Sequence, residues 1–153
     1  VETNLIVKPF AELTNSALLA LLFARNQVFI VEQGIQENEI DSHDLVAYHV
    51  MRFDEKDQIV AYARVYQQPQ GVTFGRVLTM KGFRKHGLGR QIVKDAITTA
   101  LQKFPQQPLT ISAQAYLKKF YQSLGFVPVS SEYLEVGIKH LKMQYAPTNI
   151  GEA

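Results

Sequence analysis

Arg84-Lys85-His86-Gly87-Leu88-Gly89-Arg90 is the stretch on which the reading of this chain turns. It joins a β-branched segment, Thr73 to Met80, to a long amphipathic one, Gly87 to Phe104. Leu88, Ile92, Val93, Ala96, Ile97, Ala100 and Leu101 fall on one helical face, and Pro105 stops the helix. The start of a helix leaves backbone N–H groups without partners and carries partial positive charge. Glycines there let a ligand reach the backbone, and the arginines, Lys85 and His86 add charge. The guest such a cradle fits is a phosphate or pyrophosphate. It is not a Walker loop, because no Gly-Lys-Ser/Thr follows at the required spacing. Ile92 stands where a dinucleotide fingerprint requires its third glycine, so that match is only partial.

Working outward, the pattern predicts strands at Asn4–Lys8, Leu45–Phe53, Ile59–Tyr66 and Thr73–Met80. A helix runs from Leu13 to about Phe29, capped by Thr14, Asn15 or Ser16. After the long helix come a strand at Leu109–Ala113 and a short helix at Tyr116–Leu124 ended by Gly125. A hairpin of Phe126–Tyr133 and Ile138–Tyr145 turns across Glu135-Val136-Gly137. Val31–Asp44 is a loop or short helical turns. Antiparallel strands followed by a helical crossover imply a mixed α/β (α+β) sheet covered by helices.

The 153 residues make one domain, 1–153, large enough to fold without staples. There are no cysteines, which excludes disulfides, thiolate metal sites and a cysteine nucleophile. Hydrophobic and charged residues, 46% and 20%, describe a globular chain rather than a disordered one. The longest apolar run, Ala17–Ala24, is too short to span a bilayer, and no secretory signal stands at the start. The expectation is a cytoplasmic domain, with neither nucleic acid nor membrane as partner. Net charge is +2 but segregated. Asn26–Met51 holds Glu32, Glu37, Glu39, Asp41 and Asp44 and no lysine or arginine. Lys81–Lys94 holds Lys81, Arg84, Lys85, Arg90 and Lys94 and no acid. Such segregation predicts a cation-friendly face and an anion-friendly one. His43, His49, His86 and His140 are scattered without a ligand motif, so no metal is expected.

The Arg-x-x-Gly-x-Gly pattern at Arg84–Gly89, followed by Ala113-Gln114 and by Phe120-Tyr121-Gln122-Ser123-Leu124-Gly125-Phe126, resembles the acetyl-CoA signature and second conserved block of the GNAT superfamily of N-acetyltransferases. Arg25-x-x-Val28-Phe29-Ile30-Val31-Glu32-Gln33, Asp41, Ala61–Arg64, Gly75-Arg76-Val77 and Gly137–His140 resemble its ElaA-like branch. The resemblance implies a largely antiparallel, V-splayed sheet of about seven strands flanked by helices. It implies acetyl-CoA as acyl-donor cosubstrate, in a wedge between the strand ending near Met80 and the one ending near Gln114. His86, Gly87, Leu88, Gly89 and Arg90 would hold the pyrophosphate through their amides, with Arg84 and Lys85 opening the loop. Leu78, Thr79 and Met80 would pair with the pantetheine arm as a strand edge does. An N–H at this edge would polarise the thioester carbonyl. Gln114 stands where many relatives carry asparagine.

Tyr121 is the expected general acid for the departing thiolate. An ammonium has a pKa near ~10 and must lose a proton before it attacks. Glu32, His49, His140 or a water relay would take it. The acidic stretch, lying across the cleft, would attract a cationic amine. The acceptor, a small molecule or a protein amine, is left open, as is a homodimer. Rival readings are a non-catalytic acyl-CoA sensor, an autoinducer-synthase-like acyltransferase and, last, a nucleic-acid binder on Lys81–Lys94.

Overall fold

A computed structural model describes residues 2–147. Strand β1 (Asn4–Pro9) leads through a short 3-10 turn into helix α1 (Asn15–Arg25), where Thr14 Oγ1 accepts the Ala17 N–H as N-cap. The helix does not stop at Arg25. It widens into a π-helical segment, Asn26–Glu32, in which Gln33 N–H donates to Val28 O. Such wide turns are rare and tend to mark functional sites. A loop then leads to one helical turn, α2 (His43–Val46). Leu45 and Val46, expected to open a strand, therefore sit in that turn with exposed side chains.

β2 (Tyr48–Phe53), β3 (Ile59–Gln68) and β4 (Gly71–Thr79) complete an antiparallel sheet in the order β1-β2-β3-β4. Helix α3 (Leu88–Lys103) crosses over to β5 (Thr110–Gln114). A 3-10 turn at Ala115–Leu117 and helix α4 (Lys118–Gln122) follow. The expected final hairpin is interrupted: β6 (Phe126–Pro128) and β7 (Tyr133–Glu135) are separate short strands, and both pair with β8 (Ile138–Tyr145). Val129 N–H still donates to Lys142 O, but Ser130 Oγ then takes the Lys142 N–H, which ends the pairing of the first with β8. The second sheet is thus β5-β8-β6, with β7 also on β8.

The two sheets touch through a single parallel bridge, Val72 to Leu109, where Val72 N–H donates to Pro108 O at 2.9 Å. Beyond it β4 and β5 diverge, which opens the V. Apart from this bridge every pairing between the described strands is antiparallel. α3 holds the two arms together. Ile92, Val93, Ala96, Ile97 and Ala100 are buried in one core with Ala61, Ala63 and Val65 of the first sheet and Ile111, Ala113, Leu141 and Met143 of the second. On the other side of the first sheet Leu21, Ala24 and Val28 pack on Met51, Tyr62 and Leu78. Truncating a core residue such as Ile92 to alanine would cost about 2–5 kcal/mol.

Candidate active site

The diverging arms enclose an open cavity of about 1230 Å³, lined by the π-helical segment, β4, the start of α3 and the inner face of the second sheet. β3 and β4 lose register between Tyr62 and Arg64, because Tyr62 faces Leu78 while Arg64 faces Gly75. One extra residue of β4 is bulged out, at Arg76–Val77, and Arg76 takes a positive φ of 52°. Bulges of this kind re-aim side chains next to active sites. Past the bulge, Met80 N–H donates to Val60 O, so by alternation Thr79 and Val77 turn their main-chain groups away from β3, toward the cleft. Thr79 O meets an arginine there: Arg84 Nε donates to it at 2.8 Å. Of the three residues expected to offer a strand edge, Thr79 does so, whereas Leu78 and the N–H of Met80 face β3, and Met80 O accepts the Phe83 N–H in the turn that follows. Val77 is the edge residue the sequence reading missed.

At the start of α3, Gly87 is left-handed (φ 78°) and provides no side-chain cap. Gln91 N–H makes the first helical bond, to Gly87 O. The amides of Leu88, Gly89 and Arg90 have no partner among the described residues. Leu88 is buried and anchors the turn. A Cβ on Gly89 would meet Thr79 Oγ1 at an ordinary 3.7 Å, so packing alone does not require this glycine. Its absence of side chain leaves the amides approachable. Lys85 and Gly89 line the cavity, as do Leu78, Thr79, Arg84 and Gln114. Met80, His86, Gly87, Leu88 and Arg90 lie outside the lining, and Arg90 instead donates to Ser123 Oγ at 2.9 Å.

Tyr121 of α4 lies in the cavity wall, 6% exposed and edge-on to Phe120 and Phe126. Burial pushes its phenol up to about 12, so the hydroxyl keeps its proton at neutral pH. The candidate bases differ in circumstance. Glu32, presented by the π-helical segment, is paired with Arg84 at 2.7 Å. His49 is fully buried and outside the cavity. Its Nε2–H donates to Asp44 O, its Nδ1 accepts from the Tyr62 hydroxyl, and burial lowers its pKa. It is a satisfied core histidine. His140 faces the cavity opposite Gln114 in the β5–β8 register, with Nδ1–H donating to Ile138 O.

Glu32, Glu37 and Glu39 of the acidic stretch line the cavity, but most of the stretch's charge is already paired. Glu39, Asp41 and Asp44 close a ring with three arginines from elsewhere: Arg76–Glu39–Arg25–Asp44–Arg64–Asp41 and back to Arg76. Arg25 is fully buried at the end of α1, and Arg64 is 3% exposed on β3. Burial works against the charge on Asp44, but hydrogen bonds and charge from Arg25 and Arg64 outweigh it and hold the carboxyl well below its usual range. The ring is neutral as a whole and pins the loop to the sheet. Three of the five acids are therefore spent inside the protein, Glu32 is engaged by Arg84, and among the described residues only Glu37 of the five has no ion-pair partner. Arg64 Nε is buried with no partner among the described residues.

A polar cluster the sequence reading did not single out lies on the second sheet: Ser112, Tyr133 and Glu135 gather around His140. A usable signal was there. Ser112 and Gln114 alternate with apolar Ile111 and Ala113 along β5, so one face of it is polar. Among the described residues no three His, Asp or Glu side chains gather as metal ligands, and no helix is long and apolar enough to cross a membrane.

Residues 23–147 match the model of the acetyltransferase (GNAT) domain. ElaA of Escherichia coli is 38% identical over 138 residues, covering 87% of this chain and 90% of its own. Its crystal structure superposes with a TM-score of 0.88 over 94% of this chain and 99% of that one, at 34% identity. An acyl-CoA N-acyltransferase from Pseudomonas aeruginosa gives a TM-score of 0.90 at 36% identity, covering 95% of this chain and 100% of its own. The acyl-homoserine lactone synthase BjaI shares the fold (TM-score 0.79, covering 99% of this chain and 87% of its own) at only 12% identity. The open V, the glycine-led start of α3 and these likenesses agree: the chain belongs to the GNAT acetyltransferase family and is ElaA-like.

Proposed function

We propose that the protein transfers an acetyl group from acetyl-CoA to an amine by direct attack, without a covalent enzyme intermediate. The observation that carries this reading is convergence. Val77 and Thr79 on the outward edge of β4, Gly89 in the first turn of α3 beside Lys85, and Tyr121 with its protonated phenol all line one cavity. Leu88, Gly89 and Arg90 amides, with Lys85, bind the diphosphate of the donor. Main-chain groups of Val77 and Thr79 orient its pantetheine arm, and Thr79 O must first exchange its bond to Arg84. Tyr121 protonates the departing thiolate. His140 is the favoured base, because its Nδ1–H is fixed by Ile138 O and Glu32 is committed to Arg84.

Free-thiol release from acetyl-CoA across a panel of amines tests the reading directly. Tyr121→Phe keeps donor binding and loses about 100-fold or more in kcat. Unchanged turnover removes Tyr121 from the mechanism. Donor binding with no thiol release for any amine favours a sensor instead.

A further inference from the structure

We infer that Glu135 and His140 form the seat of the acceptor nitrogen and that it takes an alkylammonium with at least two N–H donors, a primary one among them. The inference deepens the transfer reading above and rests on it for the chemical step. The binding claim stands on its own geometry.

The orientation of each hydrogen follows from what its partner can accept. Ser112 Oγ lies 3.0 Å from Glu135 Oε1, and a carboxylate only accepts, so Ser112 donates its one hydrogen there. The Tyr133 hydroxyl must then donate to Ser112 Oγ. Glu135 is thereby held by a chain that begins at Tyr133, whose ring lies over that of His140. On the histidine, Nδ1–H is taken by Ile138 O at 2.8 Å, so in the neutral ring Nε2 is a bare acceptor. Glu135 Oε2 stands 3.6 Å from that Nε2.

Two acceptors thus face each other at the edge of the cavity, with no hydrogen of their own to share. That arrangement calls for a positively charged group with at least two N–H donors. A primary ammonium supplies three. Lys142, two residues along β8 on the same face, lines the cavity but makes no ion pair with Glu135. The carboxylate side chain is half exposed, so an incoming amine can reach it, while His140 is 5% exposed.

In the reaction, R–NH3+ gives one proton to His140 Nε2 and remains hydrogen-bonded to Glu135 as R–NH2. Its lone pair forms the C–N bond at the thioester carbonyl and the C–S bond breaks. The thiolate takes the Tyr121 proton, and the second proton lost by nitrogen restores the phenol. His140 releases its proton to water, so one proton is set free per turnover.

The test titrates n-butylammonium into the protein, with and without CoA, following the His140 ring by NMR. The expected result is saturable binding at His140, absent for n-butanol, weakened about tenfold or more in Glu135→Gln and a few-fold in Ser112→Ala. Glu135 is exposed enough that the variant folds, which its own melting curve checks. Equal affinity in wild type and Glu135→Gln, equal binding of n-butanol, or no saturable effect at His140 overturns the inference. A melt with acetyl-CoA on the same samples separates the two readings. A donor-induced shift kept in Glu135→Gln assigns the loss to the acceptor seat, whereas no shift in wild type counts against the donor reading alone.

Discussion

The ring around Arg25 and the cradle at the start of α3 are both dense in charge, and they use it in opposite ways. In the ring, three arginines and three carboxylates from five separate segments satisfy one another, and two of the arginines are sealed from water. In the cradle, Lys85 and His86 have no acidic partner and three helix amides have no acceptor among the described residues. The first region has spent its charge on holding a loop against a sheet. The second leaves charge and amides unmatched, which is what the proposed donor diphosphate requires. A charged segment becomes a binding surface only when the rest of the fold does not neutralise it.

The largest effect that would break this contrast lies in the ring. Asp44→Ala strips a carboxylate shared by Arg25 and Arg64 and should destabilise the protein by about 3–5 kcal/mol. Urea unfolding measures it, and a loss below about 1 kcal/mol would mean water already does Asp44's work. Next is the cradle. Acetyl-CoA at 100 times its Kd should add about 2.7 kcal/mol, a melting shift of about 5–10 °C for this size of domain. Gly87→Glu should abolish the shift by setting a carboxylate where phosphate belongs. A retained shift would move the donor site elsewhere.

Acid should act on the ring side first. His49 has a pKa below its ordinary value of about 6.5, so below that pH the unfolded chain binds a proton the folded one refuses. Stability therefore falls as pH drops from about 6.5 to the lowered folded value. Asp41 and Asp44 are also lowered, so a further loss follows below about pH 3.9, the unfolded aspartate value. Urea midpoints from pH 8 to 3 check both steps, and His49→Gln should remove the first alone. The smallest effect sharpens the contrast from the cradle side. Lys85→Ala should leave stability within about 0.5 kcal/mol while weakening acetyl-CoA binding several-fold and reducing its salt dependence.

Much of the cradle was legible in the chain because it is local. A strand, a glycine pair and a helical face succeed one another between Gly71 and Lys103, and periodicity reports the strand and the helix. Tyr121 and Gln114, which line the cavity, were singled out by the family resemblance rather than by periodicity. The ring was not legible. Arg25 lay at a core spacing of α1, yet nothing local says that Glu39 and Asp44 will fold back upon it. His49 lies buried outside the cavity, which the sequence did not show because strand alternation locates a side chain on a face without saying which face is sealed. The π-helical widening escaped too, since its residues, Asn26–Glu32, keep the apolar spacing of an ordinary helix.

One feature of the spine reaches all the way to the mouth. Gly71 sits beside the lone bridge, and a Cβ there would fall 2.3 Å from Pro108 O. Even a methyl group must pry the two arms apart at their junction. From that fulcrum β4 runs about 25 Å to Thr79 at ~3.3 Å per residue, and leverage magnifies any rotation along it. Gly71→Ala would thus detune the chemistry while touching none of the groups that perform it.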